Sequence, residues 1–395
     1  MDWMNKAIAE RAKKIRSPKF GQIAEVRSLV RGVEGVVDLG YGEPNFVTPV
    51  HIRDAAKQAM NEGYTHYVLP VEGLTELREA IGEKLSRKNG IDVDSYTEIL
   101  VTAGVQEAIN VTMLTLINPG DEVILPSPFY YADPLGVVLA GGVPVYTKLE
   151  EERDFRINPE GVNKKITNKT KAICYVSPNC PTGGVFKKED LEEIGKIVKE
   201  RNIFIITDEI YENLLYDEEK HFSIASLPDI KAQTISMFGF SKSYAMTGWR
   251  IGYVAANREL IRNMVEIHGQ LLIGANSLAQ KAALAALTGP QDCVEEMRRE
   301  YEARRNLFAD GLNQLGFRCK RPKGSFYIYA NISELGISGF ELAKLIARDA
   351  KVLGYPGTAF TPDKDGDKYI RFSYTKPIDQ LKTALERLEK VIKKL

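Results

Sequence analysis

Thr234-Ile235-Ser236-Met237-Phe238-Gly239-Phe240-Ser241-Lys242-Ser243-Tyr244-Ala245-Met246-Thr247-Gly248-Trp249-Arg250-Ile251-Gly252-Tyr253 is the stretch around which this chain is organised. Residues 234–238 are short and apolar and start on β-branched side chains, the pattern of a buried strand. Ile251 to Ala256 has the same pattern. Between them stand a lysine flanked by serines and a glycine-tryptophan-arginine turn. A lysine among buried strands is unfavourable as plain structure, because its ammonium loses hydration. Desolvation lowers its pKa, and it can then act as a nucleophile or form a Schiff base. Arg250 is always charged and carries a rigid fork of donors that matches phosphate. The plainer alternative is a loop with both charges in water.

Working outward, short apolar segments recur at 98–102, 122–125, 143–147, 171–176, 203–207, 234–238 and 251–256. Helical spacing lies between them at about 105–117, 130–140, 188–201 and 258–269. Strands alternating with helices predict an open, mostly parallel seven-stranded α/β sheet covered on both faces. In such sheets ligands bind beyond the carboxyl ends of the strands. Upstream, residues 5–31 read as a helix and then a mobile arm, and Val36 to Gly40 as a short strand. Residues 49–61 and 74–88 read as amphipathic helices around an aromatic loop, Tyr64 to Gly73. After Gly289-Pro290 a long charged helix, about 291–315, leads to an α+β tail with strands near 317–320, 325–330 and 369–374. The expected domains are 46–289, the larger, and 1–45 together with 290–395, the smaller.

Composition narrows the function. Lysine plus arginine equals aspartate plus glutamate, 53 each, so no global field draws the chain to nucleic acid or a membrane. Cys174, Cys180, Cys293 and Cys319 form no CxxC pair and no metal-ligand spacing with the four histidines. They read as reduced thiols of a cytoplasmic protein, and no metal is expected. The first residues lack the apolar core of a signal peptide, and no apolar run of about 18 residues spans a membrane.

Other segments at predicted strand ends carry chemistry. Ile203-Phe204-Ile205-Ile206-Thr207 runs into Asp208-Glu209-Ile210-Tyr211. A carboxylate there faces a low-dielectric pocket and needs a cationic partner. A protonated pyridine nitrogen is such a partner, and an aspartate on it keeps the ring an electron sink. Tyr211 is placed for the ring's phenolic oxygen. The ordinary alternative for Asp208 is a helix cap. In Ser177-Pro178-Asn179-Cys180-Pro181-Thr182-Gly183-Gly184, a rigid turn is expected to present the Asn179 amide to a phenolic oxygen or a substrate carboxylate. Val101-Thr102-Ala103-Gly104-Val105-Gln106-Glu107 joins a strand to a helix whose first N–H groups suit phosphate. Tyr130 can stack on a flat ring, though core packing is the commoner use of an aromatic. Arg371, inside the apolar strand Tyr369-Ile370-Arg371-Phe372-Ser373-Tyr374, needs an anion, either a ligand carboxylate or an internal aspartate. A lysine for an aldehyde with an arginine for a phosphate points to pyridoxal phosphate (PLP), which carries both groups.

Taken together, these residues resemble the class I/II aminotransferases of PLP fold type I. The resemblance runs from Gly42-Glu43-Pro44 to Arg371 and rests on the order and spacing of Asn179, Asp208, Tyr211, Lys242, Arg250 and Arg371. It implies that Lys242 holds the cofactor as a Schiff base and then shuttles protons. It gives the pyridine nitrogen to Asp208, the phenolic oxygen to Asn179 and Tyr211, and ring stacking to Tyr130. The phosphate falls to Gly104, Val105, Gln106, Ser241 and Arg250, and the substrate carboxylate to Arg371 with Gly42 and Asn179. It also implies a homodimer with sites at the interface, where Tyr67 would reach the partner's phosphate. Three departures stand out: Gly239 replaces a usual serine, Cys180 a usual polar residue, and the loop around Tyr67 is one residue longer. The implied reaction moves an amino group between an α-amino acid and a 2-oxo acid in two half-reactions, a ping-pong mechanism. A β-lyase or eliminating synthase would use the same lysine, aspartate and arginine. Arg16, Arg27 and Arg31 are candidates for a second substrate carboxylate.

Overall fold

A computed structural model describes Trp3, residues 7–15 and residues 18–395. The strands are β1 (Val37–Asp38), β2 (Ile99–Thr102), β3 (Glu122–Ser127), β4 (Val143–Lys148), β5 (Thr170–Val176) and β6 (Phe204–Asp208). They continue with β7 (Thr234–Gly239), β8 (Gly252–Ala255), β9 (Tyr327–Asn331), β10 (Val352–Leu353), β11 (Tyr355–Pro356) and β12 (Tyr369–Ser373). All seven expected central strands form one sheet in the order β2-β8-β7-β6-β5-β3-β4. Only β8 runs against the rest, pairing antiparallel with β2 and β7. The residues of β2 and β8 are buried throughout, because helices cover both faces and leave no side of these strands to water.

Local sequence explains where the covering helices start. Gly104, at φ +80°, turns the chain from β2 into helix Val105–Leu116. Asn257 caps helix Arg258–Leu272 by accepting from Glu259 N at 2.9 Å. Asn276 does the same for helix Ser277–Thr288, accepting from Ala279 N at 2.9 Å. That last helix has no counterpart in the strand–helix pattern of the sequence, yet its asparagine cap and alanine-rich run are a readable signal.

Beyond Gly289 the chain forms helix Asp292–Gln314 and a second, antiparallel sheet, β11-β12-β9. Expected strands near 325–330 and 369–374 are β9 and β12. The strand expected at 317–320 is not formed; Arg318 makes a single bridge to Asn331. Its backbone groups are taken by a side chain instead, since the Asn313 amide accepts from Cys319 N (2.7 Å) and donates to Cys319 O (3.0 Å). Parallel pairing of β1 with β10 ties the N-terminal segment to this region. The single helix expected over 5–31 is two, Glu10–Ile15 and Pro18–Ser28, and residues 5 and 6 lie outside the described residues. Among the described residues no helix is long and apolar enough to cross a membrane.

Candidate active site

The carboxyl ends of β3, β5, β6 and β7 open on a cavity of about 440 Å³, closed from the other side by Tyr327 and Arg371 of the second sheet. Lys242, Asp208, Tyr211, Tyr130, Val105, Gln106, Ser241, Arg250, Gly42 and Arg371 all line it. They come from segments up to some 330 residues apart in sequence, from Gly42 to Arg371.

Lys242 sits in the turn after β7, and its amine donates to Gly42 O at 2.8 Å. Burial pulls its pKa down to about 8, and among the described residues no carboxylate forms an ion pair with it. At about pH 7.5 roughly a quarter of such amines are neutral, against about 0.1% for an ordinary lysine. Asp208 ends β6 and is only 5% exposed. Its Oδ1 accepts from Ile210 N at 3.0 Å, a local cap as the plain reading anticipated. Burial nevertheless pushes the carboxyl up to about 7, against the opposing pull of that N–H and of Lys242. Tyr211 is buried beside it, its hydroxyl 3.3 Å from that of Tyr327.

A second group of residues forms a cradle. Arg250, itself at φ +53°, donates to Thr247 O (2.9 Å) and Ala103 O (3.4 Å). A Cβ at Gly104 would lie 2.8 Å from Arg250 Nη2 and would crowd the guanidinium, and the φ of +80° itself favours glycine here. Helix Val105–Leu116 has no side-chain cap, which leaves its first N–H groups for a ligand. Glu107 and His268, which the sequence did not single out, brace the turn. Glu107 accepts from Ala103 N at 2.5 Å and pairs with His268 Nδ1 at 2.6 Å, His268 being fully buried. Tyr130 donates to Gln106 Oε1 at 3.2 Å.

Arg371 is 5% exposed and meets no carboxylate among the described residues, which removes the internal-aspartate alternative. Nη2 donates to Gly40 O, Nη1 lies 3.8 Å from Cys180 Sγ, and Nε has no partner. The guanidinium is held between Tyr327 (4.4 Å) and Phe360 (4.5 Å). Gly42 is required here too, since a Cβ would lie 1.7 Å from the Tyr327 hydroxyl.

Asn179 and Tyr67 stand outside the cavity lining. The Asn179 Oδ1 accepts from Thr182 Oγ1 (2.7 Å) and Thr182 N (3.2 Å), and its Nδ2 lies 3.5 Å from Val176 O. The asparagine holds the turn together, and the residue it turns toward the cavity is Cys180. Tyr67 is 75% exposed and lines a separate cleft with Ala103, Arg250 and Asn276, behind the cradle. Gly239 is packed: a Cβ would lie 3.0 Å from Val105 Cγ2 and 3.2 Å from Ile210 Cδ1, so a serine would force both to move. Arg27 lines the cavity but is bound to Asp38 Oδ2 (2.9 Å) and the Tyr355 hydroxyl (3.0 Å). Arg31 does not line it, and Arg16 lies outside the described residues.

Comparison with known proteins gives a consistent picture. The sequence profile "Aminotransferase class I and II" matches residues 34–388. An aromatic-amino-acid aminotransferase of Thermococcus litoralis is 42% identical over 374 residues, covering 94% of this chain and 95% of that protein. An aspartate aminotransferase of Pyrococcus abyssi is likewise 42% identical over 374 residues, covering 94% and 95%. The crystal structure of an aromatic aminotransferase from Pyrococcus horikoshii superposes with a TM-score of 0.89 at 42% identity, covering 93% of this chain and 99% of that one.

Proposed function

The chain belongs to the class I and II aminotransferases, and from that membership we propose how its own residues carry out the reaction. It is a PLP-dependent enzyme of amino-group transfer, and the β-lyase alternative is not favoured by these relatives. When bound, PLP supplies an aldehyde that takes the amino group and a ring that accepts electrons from the substrate Cα. The cavity fits that group: it offers a partly neutral amine, a buried carboxyl in no ion pair, and an uncapped helix start beside an arginine.

In this reading Lys242 Nζ would hold the cofactor at its aldehyde and, when free, would carry the proton to and from the substrate Cα. Its lowered pKa keeps that nitrogen able to accept the proton near neutral pH. Asp208 would hold the proton on the ring nitrogen, Tyr211, steadied by Tyr327, would donate to the phenolic oxygen, and Tyr130 would stack on the ring. Val105, Gln106, Ser241 and Arg250 hold the phosphate at the turn that Gly104 permits. Arg371 takes the α-carboxylate beside the Gly42 backbone, and the turn held by Asn179 sets Cys180 against it. We take 46–289 as the cofactor-binding domain and 1–45 with 290–395 as the domain that brings Arg371. Four free cysteines, two of them buried, favour action in the cytoplasm.

The observation that carries this reading is Arg371: a guanidinium buried at the cavity with a free Nε and no protein carboxylate, waiting for one from a ligand. Arg371→Lys keeps the charge and loses the fork, so kcat/KM for α-amino acids should fall at least about tenfold, or roughly 1.4 kcal/mol. Amines without a carboxylate should be poor substrates and little changed. Equal losses for both would make Arg371 a folding residue. The same donor panel reads side-chain preference. Ile23, Tyr41 and Tyr131 line the mouth, and Arg27 is already neutralised by Asp38, an arrangement that favours aromatic donors over aspartate. Faster turnover of aspartate than of phenylalanine or tyrosine would refute that preference.

We also place the working unit as a homodimer. Tyr67 (75% exposed) and Leu272 (43%) line the cleft that contains Arg250, and Leu69 (76%) and Ile273 (50%) adjoin them in sequence, so apolar side chains stand open there. Pairing would bury these residues and bring a partner's Tyr67 toward the cradle. Light scattering should give about twice the 44.2 kDa chain mass; a monomer with full activity would refute the shared site.

A further inference from the structure

The proposed reaction leaves one buried acid without a task. Asp133 lies in the first turn of helix Ala132–Leu139, three residues after Tyr130, and is 2% exposed. Its Oδ1 has no hydrogen-bond partner, and among the described residues no lysine, arginine or histidine forms a salt bridge with it. The titratable groups that face it are Asp208 at the end of β6, Cys174 on β5 and Cys180 in the following turn. None of them is a cation. Asp208 is also buried, and it does have stabilising neighbours: the Ile210 N–H at 3.0 Å and, across the cavity, Lys242. Two interacting carboxyl groups, both shut off from water, do not readily ionise together. The group with the N–H donor and the nearby amine keeps the charge. Burial and the neighbouring Asp208 both raise the Asp133 pKa well above the usual carboxylate range.

We propose that Asp133 is a neutral carboxylic acid in the working enzyme, a positioning residue that confines the pair's single negative charge to Asp208. This rests on the assignment of Asp208 to the ring nitrogen. One charge opposite one cation is balanced, whereas two carboxylates would leave an uncompensated charge in the pocket.

The test uses infrared spectra of the cofactor-free protein, in which only a protonated carboxyl gives the acid carbonyl stretch. Wild type should show one such component that is lost near about pH 7, assigned to Asp208 by its absence in Asp208→Asn, and a second that persists after the first has gone. The persistent component should be missing in Asp133→Asn. Because that substitution replaces one neutral group by another, the Asp208 midpoint should move by less than about half a unit. PLP affinity, read by quenching of protein fluorescence, should stay within about threefold. A wild type without the persistent component, or a fall of the Asp208 midpoint by more than about one unit in Asp133→Asn, would show a charged Asp133 and overturn the proposal. Unchanged PLP affinity in Asp208→Asn would overturn the underlying assignment of Asp208, and with it the role given to Asp133, even if the persistent band is present.

Discussion

Lys242→Ala should lose transamination by at least about a thousandfold in kcat while remaining folded and still taking up PLP. The size follows from two losses at one atom. The amine that attaches to the aldehyde is gone, and so is the group that carries the Cα proton. Nothing else in the cavity can replace it. The Arg250 guanidinium has no lone pair free to take a proton and is held by Thr247 O and Ala103 O, and the Tyr211 hydroxyl holds its proton more tightly than a free tyrosine because it is buried. Cofactor uptake persists because the cradle of Val105, Gln106, Ser241 and Arg250 does not depend on the lysine. Folding should be untouched or slightly improved, since removing a desolvated amine relieves an unfavourable burial. Borohydride should fix the cofactor to the peptide containing Lys242 in wild type and to no peptide in the variant. Transamination at the wild-type rate in Lys242→Ala would end this account.

What the sequence made legible follows the physics of each residue. Lys242, Asp208 and Arg371 are charges set in apolar strands or at their ends, a conflict that shows in one dimension and resolves only at a ligand site. The central sheet was legible for a similar reason: strands buried on both faces read as continuous apolar runs. That Cys180 lines the cavity was not legible, because which turn residue faces inward depends on the fold of the turn, where Thr182 binds the Asn179 Oδ1. Asp133 was invisible, since Tyr131-Ala132-Asp133-Pro134 reads as an ordinary acidic helix start and only three-dimensional burial makes it unusual. Glu107 was hidden in the same way, as its role depends on His268, which is 161 residues away. Tyr67 remains a question about two chains, which one sequence does not encode as a pattern.

Asp208→Ala is the second large effect, with an expected fall in kcat of about a hundredfold or more, weaker PLP binding, and a smaller change in substrate KM. Without a carboxylate opposite it, the ring nitrogen loses its proton and the electrons released at Cα have nowhere to go; Arg371, which binds the substrate carboxylate, is unaffected. Two roles of Asp208 must be separated, because its Oδ1 also accepts from Ile210 N at 3.0 Å. Asp208→Asn keeps an acceptor for that N–H and removes only the charge. If the charge matters, Asn and Ala should be nearly equally slow; if the cap matters, Asn should recover most of the rate. Stability gives an independent check with a definite sign. The carboxyl titrates at about 7 in the folded, cofactor-free protein, above its ordinary value, because burial disfavours its charge. The folded state therefore binds this proton more tightly than the unfolded chain, and that stabilisation is present at low pH and lost as pH rises through about 7. Removing the carboxyl should accordingly raise the melting temperature of the cofactor-free protein above about pH 7 and not below about pH 4. With PLP bound the order should reverse, wild type melting above the variant, because the ring nitrogen supplies the missing cation and only wild type can use it. A variant that is slower but melts like wild type in both states would leave the charge of Asp208 without a function, and near-normal kcat with only KM raised would make it a helix cap.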